Sequence, residues 1–401
     1  MVTREDTHEL PSWSILQSHV NVKVNLIRHK MLFAVGLLAI GCQVDPVSPP
    51  QPGVEVVSQA GTYTAFDSGL ELFRLSVDKW SGGHTAAVTI TYDAAWGTHA
   101  DHHLATDAAI ERHLPIDLEM VTWVFTQPRW NHLLETYRTE LLPRGVRFFG
   151  HGHTHALHDT LDYDGAYESF HTCFELMDTW GFAPRAYAYP GSSGLLPSTQ
   201  QANRDAGFIC ARGSTLDPDT WHLLSGATPQ EPNWYFLPAV PLGNGSYRHL
   251  QQHEDLAPVL DQALDLESWV ILMYHAVGIP ELWGFYEYEE YLADLDQIAA
   301  GDYWVAHLGQ AAAYARERAG LTVSLTAATD RARTYHLSFR DGLDDGAFAE
   351  PLTATLQLSS LSARRVRVDP PVGTGQFVPV VDGAARLALV PAETPALLVL
   401  D

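Results

Sequence analysis

The residues that could most clearly take part in chemistry are the histidines of a short glycine-rich segment, residues 150–155 (GHGHTH). The apolar stretch 146–149 precedes this segment and a polar stretch follows it, which is typical of a strand that delivers side chains to the edge of a sheet. His151 and His155 are four residues apart, so on a first helical turn they would share a face and could bind one ion. A histidine-rich surface loop is the alternative, but the flanking segments favour a metal site.

Two other reactive side chains follow predicted strands. Asp93 ends the apolar strand 86–92, and His275 ends the apolar strand 269–274. Parallel barrels collect their active sites at the C-terminal ends of the strands, so we expect Asp93, His151 and His275 to meet there. An Asp, a His pair and another His in one place indicate a metal-assisted hydrolase. The alternatives are a strand-end cap for Asp93 and a hydrogen-bonded core histidine for His275.

The elements that must position these residues alternate between strand and helix from residue 61 to residue 320, which predicts an α/β fold. The predicted strands are 86–92, 118–125, 146–149, 186–189, 208–212 and 269–274, and the predicted helices are 104–113, 130–142, 167–180, 198–206 and 255–263. Residues 321–401 instead show short alternating strands separated by turns, which predicts a small all-β sandwich domain. No ligand-type cluster occurs in its sequence, so a structural role is favoured over carbohydrate binding.

The N-terminal region predicts export. Residues 1–42 are expected to be a signal peptide, because basic residues precede an apolar run that is too short to span a bilayer. The run ends in a lipobox-like LAIGC, whose Cys42 would be lipidated and would tether the protein to a membrane. An ordinary signal peptide or a short buried helix are the alternatives. The Pro-rich residues 43–60 are expected to be an extended linker. We therefore expect an exported bacterial lipoprotein of the periplasm, outer membrane or cell surface.

Composition excludes some partners. The chain has 401 residues and a formal charge of −24, so nucleic acid and other polyanions are poor ligands. Its 46% hydrophobic residues can form a large core, and its three Cys exclude a disulfide scaffold. With Cys42 lipidated, Cys173 and Cys210 would remain, and no spacing rule fixes whether they pair.

Four segments in order resemble the polysaccharide deacetylases of carbohydrate esterase family 4, which have the NodB-homology domain. They are 91–94 (TYDA), 151–155 (HGHTH), 187–191 (YAYPG) and 271–275 (ILMYH). The resemblance covers roughly residues 80–320, and the order of the motifs is more specific than any one of them. It implies a distorted (β/α) barrel and hydrolysis of N- or O-acetyl groups on an acetylated oligo- or polysaccharide.

The resemblance also implies roles for residues of this chain. A divalent metal, usually zinc in this family, would be held by His151 and His155 with Asp93. The metal would polarise the acetyl carbonyl and a bound water. Asp93 would act as general base and His275 as general acid.

Substrate contacts are expected from the third motif and from nearby aromatic residues. Tyr189, Pro190 and Gly191 form a turn whose exposed main chain would help to hold the oxyanion. Trp96 and Trp283 lie near strand ends in the sequence, and aromatic faces stack on sugar rings. Ordinary packing is the alternative for both tryptophans.

Two positions depart from the family pattern. Ala94 stands where the family has a metal-binding Asp, and Ala188 stands where many members place an Arg that orients the base. Asp93 itself could bind the metal in compensation. A replacement ligand could also come from the following loop, in which His99, Asp101, His102 and His103 are candidates. These losses leave open a catalytically impaired carbohydrate-binding protein, and the scaffold is also compatible with an amidase acting on small molecules.

Overall fold

The computed structural model describes residues 54–59, 61–67, 69–93, 103–245, 250–327 and 333–401. The expected signal peptide and lipidated Cys42 lie outside the described residues. So do most of the Pro-rich linker, Ala94, Trp96 and the candidate ligands His99, Asp101 and His102.

The described chain begins with an antiparallel three-stranded meander: β1 (Glu55–Gln59), β2 (Thr62–Asp67) and β3 (Leu70–Val77). This meander is not part of the barrel, because β3 pairs with the C-terminal strand Leu352–Leu358. The boundary expected at residue 61 therefore does not coincide with the sheets, and the β-domain is assembled from both ends of the chain.

A closed ring of seven parallel strands forms the barrel. Its strands are β4 (Ala86–Tyr92), β5 (Asp117–Met120), β6 (Arg147–Gly150), β7 (Ala186–Ala188), β8 (Cys210–Ser214), β9 (Leu237–Pro241) and β10 (Trp269–Tyr274). Each strand pairs with the next in the chain, and pairing of β10 with β4 closes the ring. A short strand, β11 (Tyr303–Val305), pairs with the first half of β4 and leaves its second half to β5. The α/β fold expected from the alternating pattern and the barrel that the resemblance implies are confirmed.

The helices follow the barrel strands in the chain. They are α1 (His103–Glu111), α2 (Thr122–Phe125), α3 (Asn131–Thr136), α4 (Tyr163–Thr179), α5 (Pro197–Asp205), α6 (His253–Asp265), α7 (Tyr288–Ala300) and α8 (Leu308–Gly320). No helix in the described part of the chain is long and apolar enough to cross a membrane.

Two neighbouring strands of the barrel, β4 and β10, are buried on both of their faces. All seven residues of β4 and all six of β10 are buried, as expected for strands that line a packed barrel and lie beneath helices. The two strands run in register, with Tyr274 opposite Tyr92. Asp93 and His275 therefore leave the barrel side by side.

Two predicted elements differ from the structure. The strand expected over 118–125 ends at Met120. The backbone N–H groups of Thr122 and Trp123 donate to the carbonyls of Gly152 and His153, and the helix α2 begins at Thr122. A second difference is that no strand is predicted between residues 212 and 269, where the structure has the barrel strand β9, whose two prolines concealed it in the sequence.

The remaining strands complete the predicted β-sandwich. They are β12 (Thr322–Ala327), β13 (Thr334–Arg340), β14 (Leu352–Leu358), β15 (Arg365–Val368), β16 (Phe377–Pro379), β17 (Ala384–Leu389) and β18 (Ala396–Leu400). One sheet has the order β1-β2-β3-β14-β17 and the other β12-β13-β18-β15-β16. Their inward-facing residues form a separate apolar core. Cys173 and Cys210 are both buried in the barrel region as free thiols, so they do not form a disulfide.

Candidate active site

Three neighbouring strands deliver ligand-type side chains to one point at the mouth of the barrel. Asp93 follows β4, Glu119 lies near the end of β5, and His151 follows β6. All three are buried, and one ligand atom from each lies within 4.8 Å of the others. Among the described residues this is the group of carboxylate and imidazole side chains that could hold a metal ion.

The orientation of His151 suits a metal ligand. Its Nδ1–H donates to the carbonyl oxygen of Ala188 at 2.9 Å, which leaves Nε2 with its lone pair towards the site. Nε2 lies 3.3 Å from a carboxylate oxygen of Glu119. That spacing matches two ligand atoms on a tetrahedral ion with bonds of about 2.0–2.1 Å. Burial lowers the pKa of His151 to about 3, so its imidazole is neutral and able to bind a cation at neutral pH.

A buried arginine accompanies the aspartate. Arg212 of β8 donates to the carboxylate of Asp93, and its guanidinium lies 5.0 Å from the centre of the Phe149 ring. Burial by itself would raise the pKa of Asp93, but the charges of Arg212, His151 and His275 outweigh burial and lower it. Asp93 is therefore an ionised carboxylate whose orientation is fixed by a cation.

Arg212 compensates for Ala188 in position. In the sheet, Ala188 of β7 and Arg212 of β8 are register partners, so the guanidinium comes from the strand next to the one expected. Arg185, the residue before β7, does not take this place, because its guanidinium pairs with Glu350.

The other two histidines lie in the same cavity. His155 is not on a helical turn with His151, because residues 151–157 are an irregular loop in which His155 has a φ of 59°. That loop brings the two rings to a centroid separation of 4.9 Å. The Nε2 of His275 lies 3.8 Å from Asp93 Oδ2, and burial lowers the pKa of His275 to about 4.

A cavity of about 390 Å³ opens at this point and contains most of the residues expected at the site. Asp93, Glu119, His151, His155 and His275 line its floor with Arg212, and Tyr189, Gly191, Ser192, Ser214 and Trp283 line its walls.

Among the expected substrate residues, Trp283 is 55% exposed and meets His275 edge-on at 4.6 Å between ring centroids. Gly191 reaches the cavity through a positive φ of 56° that favours glycine. Pro190 is buried beneath this turn, and the ring of Tyr189 is mostly in the core. His103, a candidate replacement ligand, is exposed at the start of α1 and is not part of the three-residue group.

Sequence reasoning did not identify Glu119 and Arg212. Glu119 falls inside the strand predicted over 118–125, so the pattern does not mark it as a residue at the end of a strand. Arg212 was the last residue of a predicted strand. A buried charge in each apolar strand was the available signal, because Glu and Arg are almost never fully buried without a partner.

The fold and the site together define a (β/α)-barrel protein with buried carboxylate and imidazole side chains at the mouth of the barrel that could hold a metal ion. No family model and no curated protein matches the chain. Among solved structures, the chain is similar to a protein from Mycobacterium smegmatis described as a polysaccharide deacetylase, with 17% identity and a TM-score of 0.45 over 60% of this chain and 93% of the other.

Two other solved structures are similar to the chain at lower scores. A family 4 carbohydrate esterase from Streptomyces lividans, solved with acetate, has 11% identity and a TM-score of 0.33, with 54% of this chain and 86% of the other covered. A family 4 pseudoenzyme from Bacillus anthracis has 10% identity and a TM-score of 0.34, with 54% and 61% covered. At these identities each likeness concerns the fold alone.

Proposed function

We propose that the protein is a metal-dependent carbohydrate deacetylase that hydrolyses an N-acetyl or O-acetyl group on an oligo- or polysaccharide. The observation that carries the proposal is the convergence of Asp93, Glu119 and His151 on one point, in a cavity that also contains His155 and His275. Two buried carboxylates beside an imidazole are costly unless a cation joins them. The donor set fits a divalent ion of the zinc type.

Each side chain has a role that its position supports. Asp93, Glu119 and His151 would hold the ion, and His155 lies beside them as a further donor. When bound, such an ion supplies a polarised acyl carbonyl and a water of lowered pKa. Arg212 fixes the Asp93 carboxylate. His275 is placed to move the proton from the attacking water to the leaving amine or alkoxide, acting with Asp93, from which it lies 3.8 Å away.

The rival proposal is a carbohydrate-binding protein that has lost turnover. It is favoured by Ala94, because alanine has no donor atom where the family has a metal-binding Asp. Glu119 supports the enzyme instead, because its carboxylate supplies the second acidic group that the site would otherwise lack with alanine at position 94.

Metal binding and acetate release test the two proposals together. Purified protein is stripped with chelator, and zinc binding is measured by calorimetry for wild type, His151→Ala and a matched control, His171→Ala. His171 is a partly exposed histidine of α4 that lies near Glu175 and does not line the cavity. We expect one zinc ion in wild type and control, none in His151→Ala, and acetate release from acetylated glycans that follows the metal.

The possible results separate the alternatives. Wild type without stoichiometric metal, and without acetate release from any acetylated glycan, would establish the binding protein. Amide hydrolysis without acetate release would establish an amidase on small molecules.

We also propose that the protein is exported and tethered through Cys42. The apolar run and lipobox-like sequence before Cys42 support this proposal. Labelling with a radioactive fatty acid in a bacterial host should mark the wild type and not Cys42→Ser. Equal labelling of both, or of neither, would contradict the tether.

A further inference from the structure

Exposed large apolar side chains are concentrated on the segments that follow the barrel strands. Eight of the twelve exposed large apolar residues in the described part of the chain follow the C-terminal ends of barrel strands. These eight, which we call the apolar rim, are Trp123, Leu157, Leu161, Tyr163, Leu195, Leu196, Leu216 and Trp283. The other four belong to the β-sandwich. Exposed apolar residues scattered singly need no explanation, but their concentration around a catalytic cavity does.

The apolar rim is continuous with the cavity. The side chain of Leu157 lies 3.0 Å from the position that a Cβ of Gly191 would take, and Gly191 lines the cavity. The carboxylate of Asp159 accepts hydrogen bonds from the backbone N–H groups of Leu195 and Leu196, at 2.8 and 3.2 Å. These bonds hold the loop after β7 against the loop after β6. A ligand that leaves the cavity on this side therefore passes directly onto leucine side chains.

The charge of the rim excludes an anionic occupant. Six of the eight rim residues lie in the segments after β6, β7, β8 and β10 (residues 151–162, 189–196, 215–236 and 275–287), which contain seven Asp and Glu but no Lys or Arg. A bilayer with anionic headgroups, or a glycan linked to lipid through phosphate, needs basic side chains at the contact. The part of the occupant that lies on these segments therefore carries no anionic group.

The residue types of the rim indicate an alkyl chain rather than further sugar rings. Five of the eight residues are leucine, which has no flat face. Sugar rings stack on aromatic faces, and of the rim residues Trp283 offers such a face to the cavity. Branched aliphatic side chains instead bury methylene groups.

We propose that the substrate is a neutral acetylated glycan carrying an alkyl or acyl chain, with the sugar in the cavity and the chain on the apolar rim. The proposal rests on the proposed deacetylase function and deepens it. The chain extends from the sugar and is not the acyl group that is removed, because the rim lies outside the cavity that holds the metal-binding residues.

Alkyl glycosides test the proposal without micelles. The N-acetylglucosamine glycosides with methyl and hexyl aglycones differ by five methylenes. If half of the added methylene surface is buried, binding should improve on the order of 30-fold. We expect this gain in kcat/KM, and also in the affinity of the corresponding deacetylated glycosides measured by calorimetry. N-hexanoyl methyl glycoside should show no such gain.

Paired variants assign the effect to the rim. In Leu195→Ser/Leu196→Ser the gain for hexyl over methyl should fall to about threefold, whereas the methyl glycoside should be hydrolysed as by wild type. The matched control is Leu70→Ser, because Leu70 is 60% exposed on the β-sandwich and Leu195 is 66% exposed. These surface changes leave the core intact, which thermal unfolding verifies.

Three results would overturn the proposal. They are equal binding of the methyl and hexyl glycosides, the same gain in the rim variant as in wild type, or a gain for the N-hexanoyl compound instead of the hexyl glycoside. A wild type that dimerises through the rim, with Leu195→Ser/Leu196→Ser monomeric and no chain-length effect, would assign the rim to self-association. Failure of this proposal can be distinguished from failure of the deacetylase proposal, because calorimetry measures how the alkyl chain changes affinity even in a protein that releases no acetate.

Discussion

Replacing Glu119 by Gln should change the stability of the protein in opposite directions with and without metal. The change keeps the shape of the side chain but removes a negative charge from the group formed with Asp93 and His151. Loss of a partner that only orients a metal ligand costs 10–100-fold in affinity, so loss of a charged ligand should cost about 100-fold or more. At a zinc concentration 100 times the wild-type Kd, bound metal stabilises the fold by about 2.7 kcal/mol. A 100-fold weaker site at that concentration retains only about 0.4 kcal/mol.

Without metal, the same change should stabilise the fold. Two unit negative charges within 4.8 Å of each other repel by at least about 3.5 kcal/mol at an effective dielectric constant of 20. The guanidinium of Arg212 already pairs with Asp93 and offsets part of this repulsion. We therefore expect Glu119→Gln to raise the free energy of unfolding by about 1–2 kcal/mol in chelator.

Denaturant unfolding in chelator and in zinc measures both effects. Asp117→Asn is the matched control, because Asp117 lies two residues earlier on β5 and its carboxylate bonds to His307 and to the backbone of Leu308. The control should lower stability equally in the two conditions. If Glu119→Gln also lowered stability equally in both, Glu119 would be a structural residue and the reasoning on the metal group would be refuted.

Three further changes test other parts of the molecule. Arg212→Met leaves the buried carboxylate of Asp93 without its cation and should lower the free energy of unfolding in chelator by about 3–5 kcal/mol, measured with urea; unchanged stability would contradict the pairing. Glu317 is buried, and burial raises its pKa from 4.5 to about 8, so the folded state holds a proton that the unfolded state has lost. Stability should therefore fall as pH rises from 4.5 to 8, and Glu317→Gln should remove about 2 kcal/mol of this decline, which melting curves across that range would show or exclude. Trp283→Ala should raise KM for a glycan about 3–10-fold through lost stacking, with little change in melting temperature; an unchanged KM would place the indole outside the sugar site.

The barrel and the position of the site were predictable because strong local patterns specified them. The strand Ala86–Tyr92 begins and ends where the apolar run does, and the strand Trp269–Tyr274 likewise. Parallel strands of this kind place the residues that follow them at one face. For that reason Asp93, His151 and His275 could be assigned to one cavity from the chain alone.

The missed features depend on contacts between distant segments. The strand β5 ends at Met120 because backbone groups of the histidine loop bond to residues 122 and 123, a tertiary contact that no local pattern records. The first three strands were missed for a similar reason. The strand β3 joins this meander to Leu352–Leu358, which is almost 300 residues away in the chain, and β propensity depends on such neighbours.

The two departures from the family pattern have one geometric explanation. Adjacent parallel strands lie about 4.8 Å apart, so a long side chain on the next strand can reach a point near the one that was expected to be reached from the first strand. Arg212 of β8 does this opposite Ala188, its register partner on β7. Glu119 of β5, one methylene longer than Asp, lies beside the strand that Ala94 follows in the sequence. The motifs alone lack an Asp at position 94 and an Arg at position 188. The cavity nevertheless contains an arginine, Arg212, and a second carboxylate, Glu119.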